Sequence, residues 1–320
     1  MEQTRIQLDE LLKLLVKSSE KMMVPLLNRL FNENYEIGKT KIQVSNGEFI
    51  KKRAEKGLPT PFLDVLRADL FLIVTTDDGK EKVYHLEIQL RKDEEMAIRI
   101  FEYGYLKAEE MRKDNQLIYR FPKPLVIYFE KNDTIGDQLE LLLIFPDETE
   151  YTYKVPVLKY WEKSKADLLD EKLYALLPLQ LFSLRAEMEK AEKRGDRQRL
   201  DQLGQLALSL AEELQKDSIQ IKELGDITDR DFDKLVTAIE NLIIYLNQRY
   251  IHDENITSEV KQMTLSVMDR TKQEGAEERT LQFAVTLLAD NMSIEKVVQY
   301  TGLSEEKVRE LQAQLQDRTL

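Results

Sequence analysis

The chain has 320 residues, 42% of them apolar and 33% charged, with a formal net charge of −12. That length allows two domains, or one domain with helical additions, and the high charged share suits long solvated helices. The absence of cysteine, and the presence of only two histidines, His85 and His252, exclude disulfides, zinc–thiolate sites, cysteine nucleophiles and poly-histidine metal sites. The opening MEQTRIQLDE lacks a basic-then-apolar leader, and no uncharged apolar run approaches membrane-spanning length. A reducing, cytoplasmic setting with no membrane partner is therefore expected. The acidic excess is uneven: residues 1–130 hold 22 acidic and 22 basic side chains, whereas residues 131–320 hold 37 and 25. The first part can thus present a local basic surface, for example around Lys51, Lys52, Arg53 and Lys56.

In chain order, residues 4–32 place Leu8, Leu11, Leu12, Leu15, Met22, Met23, Leu26, Leu27 and Leu30 at helical spacing. One or two helices fit, with a break near Pro25. Lys41–Val44 reads as a short strand ended by Asn46-Gly47, and Lys51–Phe62 as a loop. Ala68–Thr76 is apolar at both parities after Asp69, as in a strand buried on both faces. A turn at residues 75–80 leads into Lys82–Leu90. Within that strand, Tyr84, Leu86, Ile88 and Leu90 alternate with His85, Glu87, Gln89 and Arg91. Asp93–Asp114 is an amphipathic helix with Met96, Ala97, Ile100, Phe101, Gly104, Ala108 and Met111 on one stripe. Leu125–Phe129, Leu139–Phe145 and Tyr151–Leu158 follow as strands, the last two flanking a hairpin at Pro146-Asp147-Glu148. Beyond residue 160 the pattern is helical, with a very polar stretch at 186–216 that reads as a solvated helix or helical linker. A stronger amphipathic helix covers 231–250, and two or three short helices lie between 276 and 313. The boundaries expected from this order are 1–160 for an α/β core, 161–275 for a helical extension and 276–320 for a small helical element.

The turn decides which residues meet. Asp77-Asp78-Gly79 suits a three-residue hairpin loop with glycine in the left-handed position. Thr76 then pairs with Lys80, and counting back sets Asp69 opposite Glu87, with Cβ atoms about 5 Å apart on one side of the sheet. A two-residue loop would instead set Asp69 opposite Ile88, and a slipped register makes Asp64 the fallback carboxylate. Two facing carboxylates stay ionised most easily around a cation, and oxygen-only ligation suits Mg²⁺ or Mn²⁺. Such a cation activates water for attack on phosphorus, and Gln89 is placed to hold that water or a phosphate oxygen.

Asp69, a hairpin, Glu87-Ile88-Gln89 and a helix together resemble the PD-(D/E)XK nuclease motif in its E-x-Q form. The stretch HLEIQLRKDEEMAIRIFEYGY is similar to the Rpn family of recombination-promoting nucleases, also labelled putative transposases. In that family a strand runs into a helix with an Arg and a Tyr four residues apart, here Arg99 and Tyr103. KPLVIYF is similar to the family's next core strand, VPVLKYWEKSKADLLDEKLYALLPLQLF to its post-core segment, and LLADNMSIEKVVQYTGLSEEKVREL to its helical ending. The resemblance covers roughly residues 60–185 well and 280–313 loosely. It implies a restriction-endonuclease-like mixed sheet flanked by helices, an α/β core with an α-helical C-terminal extension, and a metal-dependent DNA endonuclease. Asp69 and Glu87 become metal ligands, with the Ile88 carbonyl as a further one. Gln89 departs from the usual lysine. A family acid on the first helix has Glu36 and Glu48 as its candidates.

Plainer readings stand beside these. Glu87 and Gln89 also fit the wet face of an amphipathic strand, and Asp69 fits an exposed pair with Arg67. A lone His85 is more often packed than catalytic. Arg99 and Tyr103 fit phosphate binding and sheet packing equally well. Ser293–Leu311 has a helix–turn–helix outline with Ser304 as an N-cap, but its second helix carries Glu305, Glu306 and Glu310 against Lys307 and Arg309, which favours docking or homo-oligomerisation over DNA reading. The rival functions are an inactive DNA- or protein-binding module that kept the fold, and a helical oligomeric scaffold.

Overall fold

The computed structural model describes residues 14–46, 67–112, 117–289 and 292–317. The first strands form a meander: β1 (Thr40–Asn46), β2 (Arg67–Thr76) and β3 (Glu81–Gln89) are antiparallel neighbours. Helix α1 (Glu20–Phe31) precedes them and helix α2 (Met96–Glu110) follows. The chain then returns as β4 (Lys123–Tyr128), parallel to β3, which requires the crossover that α2 supplies. A second hairpin, β5 (Gln138–Ile144) and β6 (Glu150–Lys159), completes a six-stranded mixed sheet of order β1-β2-β3-β4-β6-β5.

The β2–β3 turn has the expected three-residue form. The Thr76 N–H donates to the Lys80 carbonyl at 3.1 Å, the Gly79 N–H donates to the Thr76 carbonyl at 2.8 Å, and Gly79 has φ +74°. A side chain at that dihedral is strained, so glycine sets the loop length and the loop length sets the register. Asp69 pairs with Glu87, as the count from the turn requires.

The sheet is covered on both faces. The Phe31 ring of α1 lies against Tyr84 at 4.6 Å on one side. On the other, Met96 and Ile100 of α2 join Val126, Tyr128, Ile135 and Val155 in a buried cluster. Gly104 permits a close approach there, because a Cβ at that position would fall 2.9 Å from the Phe121 ring.

Several expectations are corrected. Pro25 does not break the first helix, which runs through it from Glu20. Proline removes a single intrahelical bond there, and the interruption falls instead at Ser18 and Ser19. The Ser19 N–H and hydroxyl both donate to Asp231, more than two hundred residues away. The polar stretch at 186–216 is not a linker. It forms α4 (Arg185–Arg194) and α5 (Arg197–Glu223), separated by Gly195, and Leu200, Leu203, Ala207, Ala211, Leu214 and Ile221 bury one face of α5. Its apolar stripe is narrow and rich in alanine, so composition hides it. These helices pack with a buried 3₁₀ segment at Tyr174–Leu184, which follows the short α3 (Lys165–Asp170), and with α6 (Asp229–Leu246). The start of the expected 276–313 helices is absorbed into one long α7 (Glu254–Ala289).

Contacts divide the chain into two compact units, residues 1–260 and 261–320. The second has its own small core, in which Ala284 and Leu288 of α7 meet Val297 of α8 (Ile294–Thr301) and Val308 of α9 (Glu305–Asp317). Gly302 ends α8 in the left-handed conformation, and the Lys307 N–H donates to Ser304 Oγ at 3.3 Å, so the helix–turn–helix outline and its cap are present. Among the described residues, no helix is long and apolar enough to cross a membrane.

Candidate functional site

The polar side of β3 faces α2, and it is dry. His85, Glu87 and Gln89 are 1%, 0% and 3% exposed, so a wet strand face is ruled out. An alternating pattern says only that one side of a strand carries polar groups; whether water reaches them depends on what crosses that side. Here the crossover helix does, and buried polar groups must then find partners within the protein.

Those partners lie on one stripe of α2. Arg99, Tyr103 and Lys107 are successive i, i+4 positions and therefore share a helix face. Arg99 Nη2 donates to Glu87 Oε1 at 3.2 Å, while Arg99 Nη1 donates to Asp93 Oδ2 at 2.8 Å. The Gln89 amide nitrogen donates to the same Glu87 oxygen. The guanidinium also lies over the Tyr103 ring, 5.7 Å from its centroid. One turn further along, Tyr103 is tilted against His85 at 6.2 Å, and His85 stacks on Phe71 at 4.4 Å. Two turns along, buried Lys107 donates to Ser45 Oγ at 3.0 Å and Glu110 Oε2 at 2.9 Å, with its ammonium over Phe71.

The expected residues divide accordingly. Glu87, Gln89, Arg99 and Tyr103 come together. The backbone of Asp69 stands opposite Glu87, and its side chain lies outside the described residues, as do Asp64, Glu48 and the basic run Lys51, Lys52, Arg53 and Lys56. The ladder bond from Thr76 to Lys80, continued in steps of two, makes Ala68 and Ile88 a hydrogen-bonded pair, so the Ile88 carbonyl is turned toward the Ala68 N–H in the plane of the sheet. Glu36 is exposed, pairs with Lys39 at 2.6 Å, and precedes Thr40, which is paired with Thr76 at the hairpin end. Thr40 stands seven rungs from Asp69, roughly 23 Å along the strand, and Glu36, before the strand begins, does not join Glu87. His85 is a packed ring. Arg91 leaves the strand for a separate cluster with Glu130 at 2.8 Å and Glu189 at 2.5 Å, where buried Arg185 also meets Glu130.

Two members of the site were missed in the sequence. Asp93 supplies the second carboxylate on Arg99; it stands six residues before it, a spacing that no helical rule selects because α2 begins only at Met96. Tyr128, on β4, is fully buried. Burial, reinforced by the nearby Asp93 and Glu87 carboxylates, pushes its hydroxyl up to about 12, which keeps it protonated.

The donor set fits a hard divalent cation in kind. Glu87, the Ile88 carbonyl and, by register, Asp69 offer oxygen alone. A cation on Glu87 would share that carboxylate with Arg99, whose guanidinium already offsets part of its charge. Among the described residues, no three carboxylate or imidazole groups cluster as a metal centre. Comparison with family models, with curated proteins and with solved structures finds no match to this chain.

Proposed function

We propose that the chain is a metal-dependent phosphodiesterase acting on DNA, with a PD-(D/E)XK-type core resembling the Rpn nucleases. The observation that carries this reading is the register. Asp69 stands opposite Glu87, and Gln89 is two positions on, where the three-residue turn requires them. The order α1-β1-β2-β3-α2-β4, a meander followed by a parallel return, supports it.

In this reading Asp69, Glu87 and the Ile88 carbonyl hold Mg²⁺ or Mn²⁺. Bound there, the cation would polarise a phosphate oxygen and lower the pKa of a water, so that hydroxide is available to attack phosphorus. Gln89 orients that water or a phosphate oxygen through its amide. Arg99 retains part of its surface, its side chain being 17% exposed, and a bidentate guanidinium suits a phosphate at the site's edge. Tyr103 offers its ring to the guanidinium as a cation–π partner.

One observation favours a second reading, a DNA-binding module without cleavage. Glu87 is wholly buried and already carries Arg99 and Gln89, so its charge is met by protein groups alone. Incubation of supercoiled plasmid with the protein, in Mg²⁺, Mn²⁺ or EDTA and beside Glu87→Ala, separates the two. Metal-dependent nicking that disappears in the variant supports the enzyme. Metal-independent binding with no nicking by folded wild type sinks it in favour of the module.

A further inference from the structure

At the far end of α2 from Glu87 lies an open groove of about 840 Å³. Its floor is the start of β3 and β4, and its walls are the end of α2 with Met111 and Arg112, and residues 118–121. Arg99 lies eleven positions before the end of α2 at Glu110, roughly 16 Å along its axis, and Arg112 lies two residues beyond that end.

The groove brings four cations and three aromatic rings together, with Glu81 as the one carboxylate among its described residues. Arg112 and Arg120 line it, together with Lys82 and Lys123. The two lysines share Glu33, at 2.9 and 3.0 Å, so their charge is largely met. Arg112 and Arg120 are exposed and make no ion pair among the described residues, which leaves both guanidinium groups available to an anion. Tyr119 and Phe121 are 37% and 36% exposed, a large apolar area to leave against water. Their positions are held. Tyr119 stacks on Tyr105 at 5.3 Å with the planes 8° apart, and the Arg112 guanidinium lies over Tyr119 at 5.8 Å. Phe121 packs on Phe101 at 5.3 Å in the space that Gly104 leaves open.

We propose that this groove binds single-stranded nucleic acid. Bases stack on Phe121 and on the Arg112 guanidinium that caps the Tyr119 ring, and phosphates pair with Arg120 and the edge of Arg112. An anionic protein or lipid surface would engage the cations and gain nothing from flat, pre-stacked rings in a concavity. Every unpaired base has a π-face to offer them. A duplex keeps its bases stacked internally and could use the arginines only. The inference needs no cleavage chemistry and stands apart from the nuclease reading.

The test is fluorescence anisotropy of the full chain with a labelled dT oligonucleotide, in EDTA so that cleavage plays no part. Competitors are an abasic oligomer of the same length and the dT·dA duplex. Wild type is expected to prefer dT over both by roughly tenfold. Tyr119→Ala should weaken binding by roughly tenfold, and Tyr119→Phe, which keeps the ring, should not. Arg112→Gln/Arg120→Gln should weaken it at least as much and flatten the slope of log K against log salt by about 1.4, or 0.7 per lost phosphate contact. A merely structural role would not move that slope. Equal affinity for abasic oligomer and dT, or unchanged binding by both groove variants with unchanged circular dichroism, overturns the proposal. Plasmid nicking by the same variants is scored separately, so the two readings fail independently.

Discussion

Replacing Arg99 by methionine tests the centre of the site. Glu87 has no exposed surface, and the Arg99 side chain is 17% exposed, with its Nη2 3.2 Å from Glu87 Oε1. Taking the cation from a buried carboxylate costs about 3–5 kcal/mol, mostly the desolvation of the charge left behind. The Gln89 amide on the same oxygen and the partial exposure of Arg99 place the expected loss near the lower end, about 3 kcal/mol. Glu87→Gln removes the charge itself and should cost less, about 1–2 kcal/mol, because Arg99 keeps Asp93. The double variant should then be about 2 kcal/mol more stable than the sum of the singles implies. Trp161, the single tryptophan, packs against the cluster that contains Met96 and Ile100, so its fluorescence during urea unfolding reports on this layer. The Arg99→Met penalty should also shrink as the pH falls, because an uncompensated buried carboxylate gains by taking a proton. Singles that add to within about 0.5 kcal/mol, with a penalty independent of pH, would refute the view that Arg99 and Glu87 compensate one another.

Asp231 gives a second pH-dependent outcome. Burial works to raise its carboxyl, and hydrogen bonds from Ser19 and Thr228 outweigh it, holding the group below its ordinary 3.8. A carboxyl so depressed contributes stability that is full above the unfolded value and lost as the pH falls through the folded one. Asp231→Asn should therefore unfold at lower urea than wild type at pH 7, with the gap closing below about pH 4, where protonation of the unfolded carboxyl begins to remove the contribution; a gap constant down to pH 3 would exclude this linkage. At the hairpin, Gly79 has φ +74° and no heavy atom within 4 Å of the point where a Cβ would stand, so steric clash plays no part. Gly79→Ala should cost about 1 kcal/mol by chemical unfolding, and Gly79→Asn less, since asparagine tolerates the left-handed region; equal losses would point to a cause other than the backbone.

The local features of the site were legible in the sequence where a short-range rule operates. Asp77-Asp78-Gly79 selects a three-residue loop, the loop selects the register, and the register sets Asp69 opposite Glu87. Strand and helix order followed from periodicity through residue 160. Periodicity failed at α5, where the buried stripe from Leu200 to Ile221 is diluted by Ala207, Ala211, Gln215 and Ser218, and at Pro25, where the helix runs on despite one missing bond. Asp93 was invisible as a partner because it reaches Arg99 from the loop before the helix, outside any i, i+4 relation.

The sequence by itself determined which residues face one another across the β2–β3 hairpin, since side-chain alternation and loop length are local properties of the backbone. Only the tertiary structure decided what that polar face is. Alternation marks His85, Glu87 and Gln89 as one side of a strand and says nothing of what lies above them. The parallel return from β3 to β4 forces a crossover, the crossover is α2, and α2 brings Arg99, Tyr103 and Lys107 down onto the face. That shift from water to a low-dielectric interior changes the chemistry of the same atoms. Glu87 in water would need no partner, and beneath α2 its charge has to be met by a guanidinium or a metal.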